Sequence, residues 1–292
     1  MILLSIVTYL LYAQLNNVKL VDWQNVAIHS YFNLIIVILL VYPNIWFEYK
    51  KWKTTIDFAE LPNDNKRIRN SFFAGLITGL LTPNMVGNFV GRLYYFHKDS
   101  RLAITSLTLV SNYAQFIVTL TLGTISVIVT GQFFGLGKNE YIIGLLLLAT
   151  LSGFLFYFKL EYLLSRFFKK EQGKILMDLL KTKNSFRLEL VFYSTLRFAV
   201  FSFQFILLLN VFGESFSWLS YMAIWQVYLL TMVAPSILLG KIGVKEAVSI
   251  FVLTSIGMTS LNVLIASLIL WFLNTLLPVL IALFYVKRKA YD

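Results

Sequence analysis

Arg197 is a basic side chain in the middle of an apolar run, 188–212. It stands ten residues beyond Arg187, about 15 Å along a helix. In a bilayer that depth is near the midplane, where a charge is costly and usually functional. Gln204 follows seven residues later, two turns along the same face. A guanidinium donates two parallel hydrogen bonds to a phosphate or carboxylate. The chemistry suggested by this segment is therefore recognition of an anion.

Two hydrophobic segments elsewhere break in the same way. One reads Thr82-Pro83-Asn84-Met85-Val86-Gly87-Asn88-Phe89-Val90-Gly91-Arg92. The other reads Ala234-Pro235-Ser236-Ile237-Leu238-Leu239-Gly240-Lys241-Ile242-Gly243-Val244-Lys245-Glu246. Pro83 precedes Gly91 by eight residues, and Pro235 precedes Gly243 by eight. Proline removes a backbone donor and clashes with the preceding turn. In a membrane the freed backbone must be covered by protein or face water. Paired Pro/Gly interruptions in two halves of a membrane chain point to a transport site. Helix starts after Pro83 and Pro235 would add oriented N–H groups and a positive dipole end. Arg92, Arg197, Lys241 and Lys245 are the expected phosphate ligands. Pro83, Asn84, Gly87, Asn88, Gly91, Pro235, Ser236, Gly240 and Gly243 shape the breaks. Glu246 balances charge or carries a coupling proton, and Gln204 lines a polar cavity. Plainer readings stand beside these. Arg92 and Lys245 are also what interfacial helix ends look like. Glu246 also suits a structural pair with Arg197 or Lys245. Gly75, Gly79, Gly87 and Gly91 also fit tight helix packing.

The elements that position these residues are apolar helices. Of 292 residues, 58% are hydrophobic and 13% charged, against about 25% charged in a soluble domain. The sequence predicts an all-α, polytopic membrane protein, one domain over 1–292. Spans fall at about 1–15, 26–47, 102–130, 141–158, 188–212, 217–239, 247–271 and 273–286. The segment 71–96 is a re-entrant hairpin turning near Pro83. The pattern divides into repeats at about 26–158 and 188–286, joined by a basic connection, 159–187. The alternating short segments of a membrane β-barrel are not visible. The N-terminal run 1–13 lacks a basic start and a small-residue cleavage site and does not read as a cleaved signal.

Lys and Arg set the orientation. Segment 48–70 holds six, 159–187 holds eight and the tail holds Lys287, Arg288 and Lys289, whereas the intervening loops 16–25, 132–140 and 213–218 hold only Lys19 and Lys138. The positive-inside rule then places both termini in the cytoplasm. It also accounts for the net charge of +11, so nucleic acid is not an expected partner. Segment 159–187 reads as a basic loop that could also lie on an anionic membrane surface.

Enzyme chemistry has little support. The chain has no cysteine and two histidines, His29 and His97. Asp57, Glu60 and Asp64 have near-helical spacing, but Pro62 interrupts them. No motif asks for a metal or a cofactor.

The broken segments resemble the membrane region of the lysylphosphatidylglycerol synthase/flippase-like family. The resemblance rests on Thr82-Pro83 with Gly87 and Gly91-Arg92, and on Ala234-Pro235 with Gly240 and Gly243-Val244-Lys245-Glu246-Ala247. The run Trp46-Phe47-Glu48-Tyr49-Lys50-Lys51-Trp52-Lys53 is similar to the family's basic end of an early span, and Leu196-Arg197 with Gln204 to its arginine-bearing middle span. Two features depart from the pattern: Lys245 replaces the usual arginine, and Lys241 and Ile242 split the second glycine pair. The resemblance implies a non-enzymatic, flippase-like protein of the bacterial inner membrane that binds an anionic phospholipid or phosphate-bearing lipid carrier and moves it between leaflets. A lipid-modifying enzyme or glycosyltransferase is an expected partner, and a homodimer an expected assembly. The alternatives are a membrane enzyme acting on a lipid-linked substrate and an accessory subunit that tethers a peripheral enzyme.

Overall fold

The computed structural model describes residues 26–59, 64–82, 86–159, 184–234 and 242–286, all helices and turns with no β-strand. The helices are α1 (Tyr31–Leu39), α2 (Val41–Phe58), α3 (Asn65–Leu80), α4 (Gly87–Leu93), α5 (Arg101–Thr130), α6 (Glu140–Phe158), α7 (Asn184–Val211), α8 (Trp218–Val233), α9 (Val244–Thr254), α10 (Ser260–Trp271) and α11 (Leu277–Tyr285).

Five stretches are long and apolar enough to cross a membrane: Tyr31–Phe58, Lys98–Thr130, Glu140–Phe158, Asn184–Val211 and Ser260–Tyr285. This is a helical membrane protein. Helix α6 shows why. Only Gly153 and Tyr157 are buried along it, while Leu145, Leu148, Leu151 and Leu155 are each more than 60% exposed. A helix that is apolar all round needs an apolar surrounding.

The described residues show five such stretches where the sequence suggests about eight spans. The expected span 1–15 and most of 159–187 lie outside the described residues. The expected span 217–239 is α8, whose 16 residues reach about 24 Å, short of the ~30 Å hydrocarbon core. The expected span 247–271 is cut after Thr254, where Gly257 takes a left-handed φ of 89°. Conversely, the separation expected between the spans ending at 271 and starting at 273 is absent, and Ser260–Tyr285 is one stretch. A π-turn, Phe272–Leu276, widens the helix just before Pro278, which stands in the first turn of α11. The wider turn absorbs the proline's missing donor and its clash with the preceding carbonyl. Pro43 stands in the first turn of α2, just after Leu40 separates that helix from α1, where the backbone nitrogen has no intrahelical partner to lose.

The largest apolar core joins α1, α7, α8, α9 and α10 through Val37, Phe205, Leu209, Ile224, Val252 and Val263. A second packs Trp52, Ile56, Ile68 and Phe72 between α2 and α3. Helix α8 starts with a reciprocal cap: Ser220 N–H donates to Ser217 Oγ at 3.0 Å, and Ser217 N–H donates to Ser220 Oγ at 2.9 Å. Ser217→Ala is expected to cost about 1 kcal/mol, seen as a lower midpoint of thermal unfolding in detergent; an unchanged midpoint means the cap is not holding α8.

Candidate functional site

Helix α2 carries Asn44, Glu48, Lys51 and Thr55 at steps of four, three and four. That spacing puts all four on one face. It forms a polar stripe along the helix, separate from the Lys53–Asp57 ion pair on the outer side of its last turns. The stripe turns inward: Asn44, Lys51 and Thr55 are at most 2% exposed.

Glu48 is the centre of the site. Its carboxylate meets Arg197 Nη1 at 3.2 Å, Arg92 Nη2 at 3.4 Å and Lys51 Nζ at 3.5 Å. Three cations against one carboxylate leave +2 (3 − 1). None of the contacts is bidentate. All are longer than the ~2.7–2.9 Å of a strong charge-assisted bond. One carboxylate is thus stretched over more positive charge than it can satisfy. The remaining contacts of Arg197 are weak in charge terms: Nε donates to Asn44 Oδ1 at 3.2 Å, and the guanidinium lies 6.0 Å from the centre of the Phe201 ring.

Arg92 sits behind Glu48. It is 2% exposed and stacks 4.6 Å from the centre of Trp52. Trp52 is itself held by donating Nε1–H to Ser71 Oγ at 2.9 Å and to Ile68 O at 3.1 Å. Arg92 therefore forms part of the wall that holds Glu48, where the sequence reading has it touching phosphate directly. Burial against aromatic rings is the physical reason.

The hairpin that delivers Arg92 is built on glycine. Thr78 Oγ1 donates to Gly87 O at 2.6 Å, and Gly87 N–H donates to Thr82 Oγ1 at 2.6 Å. A Cβ on Gly91 would collide with Thr78 Oγ1 and the Ala74 carbonyl, and one on Gly87 with the Thr78 carbonyl. A Cβ on Gly75 would lie 2.5 Å from Asn88 Oδ1 and 2.7 Å from Arg92 Cγ. Gly87 and Gly91 are thus close-packing residues. Pro83 and Asn84, between the two arms, lie outside the described residues.

In the second break, α8 ends at Val233 and Ala234 is extended, as expected of a residue before proline. Pro235, Ser236, Gly240 and Lys241 lie outside the described residues. Gly243 takes φ 84° and opens α9. Its N–H donates to Glu246 Oε2 at 2.6 Å, and Ser267 Oγ donates to Glu246 Oε1 at 3.2 Å. Glu246 is therefore occupied as a helix cap, and the charge-balancing carboxylate of Arg197 is Glu48. Lys245 makes no ion pair among the described residues and lies 5.8 Å from the centre of Phe205. Gln204 is fully buried: its Nε2 donates to Val37 O and its Oε1 accepts from Asn274 Nδ2, both at 2.9 Å. It ties helices together and does not line the cavity.

Two adjoining cavities open from this cluster. One, of 430 Å³, is walled by Glu48, Lys51, Asn88, Asn112, Gln115 and Arg197, among others. The other, of 290 Å³, is walled by Asn44, Arg197, Tyr228, Lys245, Asn274 and Thr275, among others. Arg197, Thr119 and Met232 belong to both walls. Arg197 is thus placed to reach either side. No group of three or more metal-ligating side chains gathers among the described residues.

The residues that the sequence reading did not single out are Glu48, Lys51, Asn44 and Gln115. The signal was present as the Asn44–Glu48–Lys51–Thr55 stripe. It was obscured because Lys51 reads as one of the loop cations in 48–70, whereas α2 runs on to Phe58 and Lys51 is 1% exposed. Arg187 is a second cation of this kind, counted with 159–187 but fully buried beside Tyr157. Compared with models of known families, with curated proteins and with solved structures, the chain matches none.

Proposed function

We propose that this chain binds an anionic amphiphile, a phospholipid or phosphate-bearing lipid carrier, by its headgroup and helps it move between membrane leaflets. The observation that supports it is the surplus of +2 around Glu48, at a cavity wall built from membrane-length helices. Charge of one sign held in low dielectric is expensive unless something compensates it. A phosphate provides that compensation and fits the unfilled fork of Arg197. Lys245 in the second cavity offers a further positive stop beyond Arg197, so the headgroup can be passed rather than only held. The resemblance to the flippase-like family agrees with this reading. On this reading the protein sits in a bacterial cytoplasmic membrane, and the positive-inside count supports both termini being inside.

The test uses phosphatidylcholine nanodiscs doped with phosphatidylglycerol, with bound lipid read by native mass spectrometry. A second readout is the scrambling of labelled phosphatidylglycerol in proteoliposomes. Arg197→Ala is expected to weaken binding about ten- to hundredfold, the worth of one hydrogen bond to a charged group, and to slow scrambling. A correctly folded Arg197→Ala protein with full binding and scrambling overturns the assignment.

A further inference from the structure

A concave site lies apart from the Glu48 cluster, where α4 passes into α5. Arg67, in the first turn of α3, meets residues of the segment Tyr95–Arg101 there, around a cavity of 330 Å³. Tyr95 and Phe96 are buried in its lining, while His97, Lys98, Asp99 and Arg101 are exposed. A short turn fixes the exposed side: Ser100 N–H donates to His97 O at 3.1 Å, and Arg101 N–H donates to Lys98 O.

The lining carries three permanent cations, Arg67, Lys98 and Arg101, against one carboxylate, Asp99, which leaves +2 (3 − 1). Lys98, Asp99 and Arg101 make no ion pair among the described residues. Asp99 therefore does not neutralise its neighbours. His97 adds a further N–H donor. The positive-inside rule accounts for basic residues at this end of the helices. It does not ask Arg67 and His97, thirty residues apart, to converge on one hollow.

A dianion matches that surplus. A phosphodiester carries a single charge, whereas a terminal phosphate carries about −1.5 to −2 at pH 7 and offers three acceptor oxygens. Three oxygens suit donors that arrive from separate elements, here two guanidinium groups and an ammonium. We infer that this pocket is a second anion site, distinct from the Glu48 cluster, that takes the terminal phosphate of a phosphomonoester or phosphoanhydride. Its volume falls within the ~300–1,000 Å³ usual for small-molecule sites, which leaves room for the group that bears the phosphate. On the orientation proposed above the pocket faces the cytoplasm, where such ligands are soluble metabolites. A monoester lipid headgroup of the inner leaflet offers the same chemistry.

The experiment titrates inorganic pyrophosphate into the full chain in phosphatidylcholine nanodiscs, read by calorimetry, with dimethyl phosphate as the diester control. Wild-type protein is expected to bind pyrophosphate at least about tenfold more tightly than dimethyl phosphate, the worth of one hydrogen bond to a charged group. Lys98→Gln and Arg101→Gln, both at exposed positions, should each weaken pyrophosphate binding about tenfold. Asp99→Asn should tighten it by up to about fivefold, the worth of an exposed charge pair. Arg197→Ala should leave it unchanged. Pyrophosphate binding that is lost in Arg197→Ala, unchanged in both Lys98→Gln and Arg101→Gln, or no tighter than that of dimethyl phosphate overturns the inference and leaves the Glu48 reading standing. A second arm uses nanodiscs doped with phosphatidic acid, a monoester lipid. Binding of phosphatidic acid alone, weakened by Lys98→Gln and Arg101→Gln, supports the terminal-phosphate site and assigns its ligand to the membrane. Binding of neither probe overturns it.

Discussion

Glu48→Gln is expected to destabilise the purified protein by about 3–5 kcal/mol, the cost of removing one partner from a buried ion cluster. Lys51 is 1% exposed and Arg92 is 2% exposed. Both have Glu48 as their only ion-pair partner among the described residues. Glutamine keeps the shape and one acceptor but removes the charge, so three cations repel one another without a counter-ion. Thermal or denaturant unfolding in detergent reads the loss. A second variant separates charge from packing. Adding Arg92→Met to Glu48→Gln removes one of the stranded cations while retaining bulk beside Trp52. The double variant should then be more stable than Glu48→Gln alone, because contacting residues are not additive. A phosphate-bearing lipid should also stabilise Glu48→Gln more than wild type, since it replaces the missing negative charge and binds only the folded state. If Glu48→Gln unfolds like wild type, the carboxylate is not what holds the cations.

Gly91→Ala should cost about 3 kcal/mol, at the upper end of the usual overpacking range. The added methyl meets the Ala74 carbonyl and Thr78 Oγ1. A flexible side-chain tip could move aside; a helix backbone cannot without shifting α4 as a unit. That shift moves Arg92, one residue on, away from Glu48 and Trp52. Stability and anion binding should therefore fall together. The contrast is Gly144→Ala in α6, where an added Cβ meets nothing within 4 Å. It should be neutral or slightly stabilising, as expected from alanine's higher helix propensity. Equal behaviour of the two variants would remove the close-packed hairpin from the account.

Much of this arrangement was legible in the chain. The apolar runs marked the membrane helices. The Pro/Gly clusters marked interruptions on either side of 83–86 and 235–243. The isolated charge of Arg197 marked the wall of the cavity. Less legible was the partner of that charge. Glu246 and Glu48 are both near basic residues in sequence, and nothing local separates them. The difference lies in the turn before α9, which spends the Glu246 carboxylate on the Gly243 N–H. Likewise Lys51 and Lys50 are adjacent and equal on paper. Helical rotation sends one into the core and leaves the other over the Trp46 ring.

What the sequence by itself determined is the class of protein and two of the places where its helices stop, ahead of Pro83 and of Pro235. Both follow from local chemistry: how apolar a run is, and where proline denies a backbone bond. The tertiary structure alone decided which carboxylate the cations share, that Arg92 backs the site without facing it, and that Gln204 is consumed in helix packing. Those outcomes depend on contacts between residues as much as 167 positions apart. Such contacts are set by how helix faces rotate and close against one another, which hydrophobic patterning constrains only to within a face.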